Sequence, residues 1–166
     1  MMIYILRHAS AANRDRRTFP DDRLRPLTDS GRKSVLSLFR KFKDNHLRIN
    51  LIMTSPFTRA VETANLARTA MHLKKDVVLQ TENLSPLGAI DGLINEVLSH
   101  GPIENLLLVG HEPNLSELAS VLLIGDTNLS ITLKKGGLCC LSTDELVLGK
   151  CASLEWLMNP KQIHYI

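Results

Sequence analysis

Leu106-Leu107-Leu108-Val109-Gly110-His111 is the stretch that decides the fold. Its four apolar residues run on without the alternation of a half-exposed strand, so the strand they form is of the kind covered on both faces. Pro113 then opens a helix whose core positions are Leu115, Leu118, Ala119 and Leu122, at helical spacing. A buried strand that runs straight into a helix is the unit of an α/β sheet.

Two further stretches repeat the pattern upstream. Met2-Ile3-Tyr4-Ile5-Leu6 is a short buried strand that ends in Arg7-His8. Leu51-Ile52-Met53-Thr54 is another, followed by Ser55-Pro56, which reads as an N-cap with proline at the first helical position. Phe57, Ala60, Val61, Ala64, Ala67 and Met71 make the buried face of the next helix. Between these two units, a polar loop from Ala9 to Pro26 leads to Thr28. Thr28 caps a helix expected to reach Asp44, with Val35, Leu38, Phe39 and Phe42 on its apolar stripe. A short strand is expected at Asp76–Leu79, a loop over Thr81–Gly92 and a helix from about Leu93 to Ser99. In the tail, strands are expected at Ile131–Leu133, Gly137–Leu141 and Ala152–Leu157, forming an antiparallel edge. The fold class is therefore α/β, a three-layer α/β/α sandwich with a mostly parallel sheet. Residues 1–166 form a single domain in this reading, with no internal repeat or linker.

Composition narrows the function. The 166 residues are 44% hydrophobic, so disorder is not expected, and only 4% aromatic, so base stacking is poorly supplied. No apolar run is long enough to span a bilayer, and Arg7 interrupts the first one before it reaches signal-peptide length. A soluble, cytoplasmic protein, without membrane or nucleic-acid partners, is expected. Cys139, Cys140 and Cys151 lack metal or redox spacing and read as small buried residues on strands. No carboxylate cluster or HExxH pair suggests a metal, and neither a Walker A loop nor a GxSxG elbow is present. The net charge of +3 is uneven: basic residues crowd the first third, from Arg7 to Arg48, and could attract an anionic substrate or an acidic protein.

The polar residues at the strand ends are the candidate site. Arg7-His8, Ser55 with Arg59 one turn on, and His111 would converge if the three strands are parallel neighbours, because ligands of open α/β sheets bind beyond the carboxyl ends of the strands. Arg59 lies in the first helical turn, where side chains lean back toward the strand end. Taken singly, Arg7 reads as a surface ion pair, His111 as a core histidine and Arg59 as a solvated helix residue. Placement at three strand ends together favours an anion site. His46, His72, His100 and His164 lack such placement and read as surface or terminal residues.

The chain resembles the histidine phosphatase superfamily, and within it the SixA-type phosphohistidine phosphatases, whose fold is phosphoglycerate mutase-like. The resemblance rests on Leu6-Arg7-His8-Ala9, Arg25-Pro26-Leu27-Thr28 with Gly31, Ser55-Pro56-Phe57-Thr58-Arg59-Ala60 with Glu62-Thr63-Ala64, and Val109-Gly110-His111-Glu112-Pro113. The tail Lys135-Gly136-Gly137-Leu138-Cys139-Cys140-Leu141 with Leu154-Glu155-Trp156 extends it over nearly the whole chain. It implies that His8 takes the phosphoryl group, that Arg7, Arg59 and His111 hold the phosphate oxygens, and that no cofactor or metal is needed. It also implies a His-phosphorylated protein, such as a phosphotransfer domain, as partner of a monomeric enzyme. Two departures stand out. Ala9 replaces the usual glycine after the catalytic histidine, which could tighten the backbone there. Glu82 is the nearest candidate for the general acid, but its register is off and a surface glutamate is the plainer reading. A weak or absent acid favours phosphohistidine, whose leaving imidazole needs less help than an alkoxide. Small phosphate monoesters are the alternative substrates, and a phosphoprotein-binding module is the non-enzymatic alternative. Whether Ser10, Asn13 or Arg25 reaches the phosphate is left open by the sequence.

Overall fold

The computed structural model describes residues 1–45 and 47–163. Six strands form one sheet: β1 (Met2–Arg7), β2 (Leu51–Thr54), β3 (Val78–Gln80), β4 (Asn105–Gly110), β5 (Leu138–Ser142) and β6 (Ser153–Met158). Their order is β3-β2-β4-β1-β5-β6, parallel from β3 to β1 and antiparallel from β1 to β5 and from β5 to β6. β4 lies between β2 and β1, with Val109 beside both Thr54 and Leu6 and Gly110 beside Arg7. The three polar strand ends therefore stand side by side.

Successive side chains of a strand point to opposite faces, and the helices cover both. Tyr4, Leu6, Ile52, Leu107, Val109, Leu138 and Cys140 meet α1 (Asp29–Asp44) and α2 (Thr58–Ala70). Ile3, Ile5, Met53, Leu106, Leu108, Cys139 and Leu141 meet α3 (Ile90–Ser99) and α4 (Asn114–Ile124). The result is the expected three-layer sandwich with an antiparallel edge. Thr28 caps α1 through its hydroxyl, which accepts from the Gly31 N–H, and Val35, Leu38, Phe39 and Phe42 are all buried. Gly31 has a steric reason: a Cβ there would lie 2.3 Å from the Ser10 carbonyl oxygen, so only glycine lets α1 lie against the loop after His8. The inward face of α2 is alanine, with Ala60, Ala64 and Ala67 fully buried, which brings this helix close to the sheet.

Several expected boundaries are corrected. Helix α2 begins at Thr58, two residues past Pro56, and Ser55 does not cap it; the Ser55 hydroxyl accepts from the Phe57 N–H and pairs with His111. Strand β3 starts two residues late because Lys75–Val77 make a 3-10 turn. Helix α3 starts at Ile90, with Gly92 inside its first turn. Residues 131–133 form no strand: Ser116 Oγ donates to the Ile131 carbonyl, Asn159 Nδ2 to that of Thr132 and Arg7 Nη1 to that of Leu133, so side chains satisfy the groups a ladder would use. Cys139 and Cys140 are buried on β5, while Cys151 precedes β6 and is half-buried; all three are free thiols. His72 and His100 are exposed, as expected, whereas His46 and His164 lie outside the described residues. Among the described residues no helix is long and apolar enough to cross a membrane.

Candidate active site

At the carboxyl ends of β1, β2 and β4 lies a cleft of about 350 Å³, lined by Arg7, His8, Arg59 and His111 together with Asp22, Glu112 and other residues. The structure thus brings together the four residues singled out from the strand ends. His8, Arg59 and His111 are buried, at 5%, 4% and 2% exposure.

His8 is held from both sides. Its backbone N–H donates to the Gly110 carbonyl, and its carbonyl accepts from the Gly136 N–H. In the ring, Nδ1 lies 2.8 Å from the Ala9 carbonyl oxygen, which can only accept, so Nδ1 carries the proton and Nε2 a lone pair. Arg59 Nε donates to that lone pair at 3.3 Å. The backward lean of a first-turn side chain puts the guanidinium there. Ala9 takes the place of the usual glycine without strain, since it has no positive φ. Its N–H donates to Thr63 Oγ1, whose own hydroxyl donates to the Arg59 carbonyl. One threonine of α2 thereby couples the backbone behind His8 to the helix turn that carries Arg59.

Arg59 also reaches Asp22: Nη1 donates to its carbonyl oxygen at 2.8 Å and Nη2 lies 3.0 Å from its carboxylate. Arg25 Nε and Arg14 Nε approach the same carboxylate at 3.1 and 3.6 Å. Burial pushes the Asp22 carboxyl up, but Arg59 and Arg25 outweigh it and hold it below its ordinary range. Asp22 was not apparent from sequence, because nothing local marks one aspartate of a polar loop as the partner of a helix 37 residues away.

His111 sits with its ring centroid 4.9 Å from that of His8, and its Nε2 is 2.9 Å from Ser55 Oγ. Burial, helped by the neighbouring cations, pushes both imidazoles down to about 3. Both rings are therefore neutral near neutral pH. Arg7 Nε and His111 Nδ1 are buried with no hydrogen-bond partner among the described residues. Unsatisfied buried groups of this kind are rare and point to a ligand. An anion with several acceptor oxygens matches the two guanidinium groups and the imidazole that face the cleft.

The remaining candidates are placed differently. Glu82 is exposed, pairs with Arg23 and accepts from Ser85 Oγ. Those hydrogen bonds, Ser85 first, hold its carboxyl below the usual range, and it does not line the cleft. It is an ionised surface glutamate, not a proton donor to the site. Arg25 lines the cleft, while Ser10 and Asn13 are exposed and do not. Glu112 does line it, one residue beyond His111, with Oε2 bonded to Ser116 and Oε1 buried without a partner. Burial raises its pKa against the pull of Ser116 and Arg7. Its place beside His111 was the one signal that could have marked it. Among the described residues no three His, Cys, Asp or Glu side chains are grouped so as to hold a metal.

Residues 3–85 match the family model of the histidine phosphatase superfamily, branch 1. An uncharacterised protein of Picosynechococcus sp. is 33% identical over 140 residues, covering 83% of this chain and 82% of that one. The phosphohistidine phosphatase SixA of Escherichia coli K12 is 26% identical over 163 residues, 96% of this chain and 94% of that one. Among solved structures, the protein histidine phosphatase SixA complexed with tungstate matches with a TM-score of 0.82 at 24% identity, over 97% of this chain and 98% of that chain. The α-ribazole phosphatase of Shigella flexneri shares the fold at a TM-score of 0.71 and 16% identity, over 96% of this chain and 97% of that chain. Because the family model spans half of the chain, Arg7, His8 and Arg59 included, and the likeness to SixA runs over 96% of it, the chain belongs to the histidine phosphatase superfamily, branch 1, and is of the SixA type.

Proposed function

We propose that the protein is a phosphohistidine phosphatase that dephosphorylates a His-phosphorylated protein, such as a phosphotransfer domain of a phosphorelay. It works through a covalent phosphohistidine on His8, without a metal, as a monomer in the cytoplasm. One observation carries the reading: the His8 Nδ1–H is committed to the Ala9 carbonyl, which leaves the Nε2 lone pair facing the cleft beside Arg59. A binding module needs the arginines but not a neutral imidazole held in that tautomer.

In the first step Nε2 of His8 attacks phosphorus in line. The bond from phosphorus to the substrate nitrogen breaks, and its electron pair leaves with the imidazole, which takes up a proton from solvent at the open cleft. Arg7, Arg59 and His111 face the equatorial oxygens, where phosphoryl transfer concentrates charge. Arg59 Nε exchanges its contact with His8 for a phosphate oxygen. The positive charge that develops on the His8 ring is stabilised through Nδ1–H and the Ala9 carbonyl. In the second step water attacks phosphorus, the phosphorus–Nε2 bond breaks with its electron pair returning to His8, and the water proton passes to solvent, which balances the one taken up in the first step and releases phosphate and neutral His8.

The leaving group supports the substrate class. Glu82 is ionised and outside the cleft, and imidazole leaves more readily than an alkoxide. The likeness to SixA over the whole chain points the same way. A second reading, hydrolysis of small phosphate monoesters, is favoured by Glu112, a carboxyl with a raised pKa in the cleft wall that could protonate an alkoxide.

The test is phosphoenzyme trapping from a radiolabelled phosphohistidine protein. Wild type should carry an acid-labile, alkali-stable label, and His8→Ala should carry none. Faster turnover of sugar phosphates than of the phosphoprotein would overturn the substrate assignment, and an unlabelled wild type would overturn the covalent mechanism.

A further inference from the structure

Beside the cleft lies a wider groove of about 630 Å³, lined by Arg7, Lys134, Lys135, Asn159, Pro160 and Lys161 among others. It shares Arg7 and Lys135 with the cleft, so the two are continuous. Among the described residues no carboxylate lines it. All three lysines are exposed, and none joins an ion pair among the described residues. The opposite pattern holds on the arginine side of the cleft, where Asp22 is shared by Arg14, Arg25 and Arg59. The cations on the lysine side are therefore left without a carboxylate partner among the described residues, whereas those on the arginine side share one.

The lysine turn is built onto the phosphate-facing arginine. Arg7 Nη1 donates to the Leu133 carbonyl, and the Gly136 N–H, at a φ of +74°, lies 3.1 Å from the carbonyl oxygens of Arg7 and His8. The Lys134 N–H donates to Asn159 Oδ1 at 2.8 Å, which ties the turn to the end of β6. The backbone that bears these charges thus stands in a fixed relation to the nucleophile.

We infer that this lysine-lined groove docks an acidic surface of the phosphoprotein, with carboxylates flanking the phosphohistidine; the inference rests on the substrate reading above. The partner is a protein rather than a nucleotide or nucleic acid, because among the described residues no aromatic side chain lines the groove to stack a base. Exposed lysines are hydrated point charges without the rigid fork that grips one phosphate, and they suit long-range attraction of several carboxylates. A side chain that delivers its phosphate to the cleft brings its own protein surface to the rim, within a Debye length of about 8 Å of these charges.

The experiment uses Lys134→Glu/Lys161→Glu, which leaves the cleft residues intact. Binding of a fluorescent, glutamate-rich, unphosphorylated peptide is read by anisotropy, and turnover of a phosphohistidine protein is compared with that of free phosphohistidine. Weaker peptide binding by the double variant, with His8→Ala binding like wild type, supports docking. So does a fall of about tenfold in kcat/KM for the phosphoprotein at low salt, vanishing at high salt, with free phosphohistidine unaffected. Equal peptide binding by wild type and double variant overturns it, as does an equal loss on both substrates. Single-stranded RNA that binds the wild type more tightly than the peptide does, and is lost from the double variant, would assign the groove to nucleic acid and also overturn it. The peptide assay needs no phosphatase activity. A wild type that binds the peptide but hydrolyses no phosphohistidine would overturn the substrate reading and leave the acidic docking site standing.

Discussion

Lowering the pH from 7 to 5 should destabilise this fold by about 4 kcal/mol through two side chains, His8 and His111. Each is buried, and each has its pKa pushed down to about 3. In the unfolded chain both return to the ordinary value near 6.5. The folded state therefore stays neutral while the unfolded state takes up protons, so this contribution to stability is complete above about 6.5 and shrinks as the pH falls toward 3. Integrated to pH 5, the difference is about 2 kcal/mol for each ring. Urea unfolding followed by circular dichroism at several pH values measures it by linear extrapolation. The control is His8→Asn/His111→Asn, which keeps polar groups at both positions but removes the titration. Carboxylates protonate alike in both proteins and cancel. The wild type should lose about 4 kcal/mol more than the double variant between pH 7 and 5. Parallel losses would mean that both rings titrate as solvated histidines, and would refute the neutral, lone-pair-bearing state of His8 on which the mechanism depends. Saturating phosphate should reduce the wild-type loss, because an anion beside the rings favours their protonated forms.

Two other substitutions test the site. Arg59→Lys keeps the charge but loses the fork that spans His8 and Asp22, so kcat should fall about a hundredfold while urea stability changes much less; unchanged kcat would remove Arg59 from the phosphate clamp. Glu112→Gln should lower turnover of an alkyl phosphate about a hundredfold more than that of phosphohistidine, since the more basic alkoxide depends far more on a positioned proton donor than imidazole does. Equal effects in steady-state assays on the two substrates would refute an acid role for Glu112.

Much of the site was legible because strand ends and helix starts are local facts. The apolar run Leu106–Val109 announces a strand covered on both faces, so the next residues, Gly110-His111, emerge at the carboxyl end of the sheet. The same holds for Arg7-His8 at the end of β1, and Arg59 is placed by its position in the first turn of α2. Asp22 was illegible for the opposite reason. It sits on a polar loop, and its role comes from an ion pair with Arg59 on α2, 37 residues away in the chain. Ser55 looked like a cap because serine before proline usually is one, but its hydroxyl is engaged by His111 from another strand. Ile131–Leu133 looked like a strand because apolar alternation cannot report that Arg7, Ser116 and Asn159 take its carbonyls instead.

The sequence by itself determined most of the strands and helices, their buried faces and the polar residues that stand at the ends of β1, β2 and β4. These features arise from periodicity, capping and the cost of burying charge, all of which act over a few residues. Only the tertiary structure decided that β4 inserts between β1 and β2 and so brings those ends together. It also decided that the Ala9 carbonyl selects the His8 tautomer and that Asp22 restrains Arg59. The lysine turn likewise joins Arg7 only in the folded chain, 126 residues separating Arg7 from its Leu133 partner. Contacts of that range depend on strand order and register, which pair distant segments through backbone hydrogen bonds that every residue type can make.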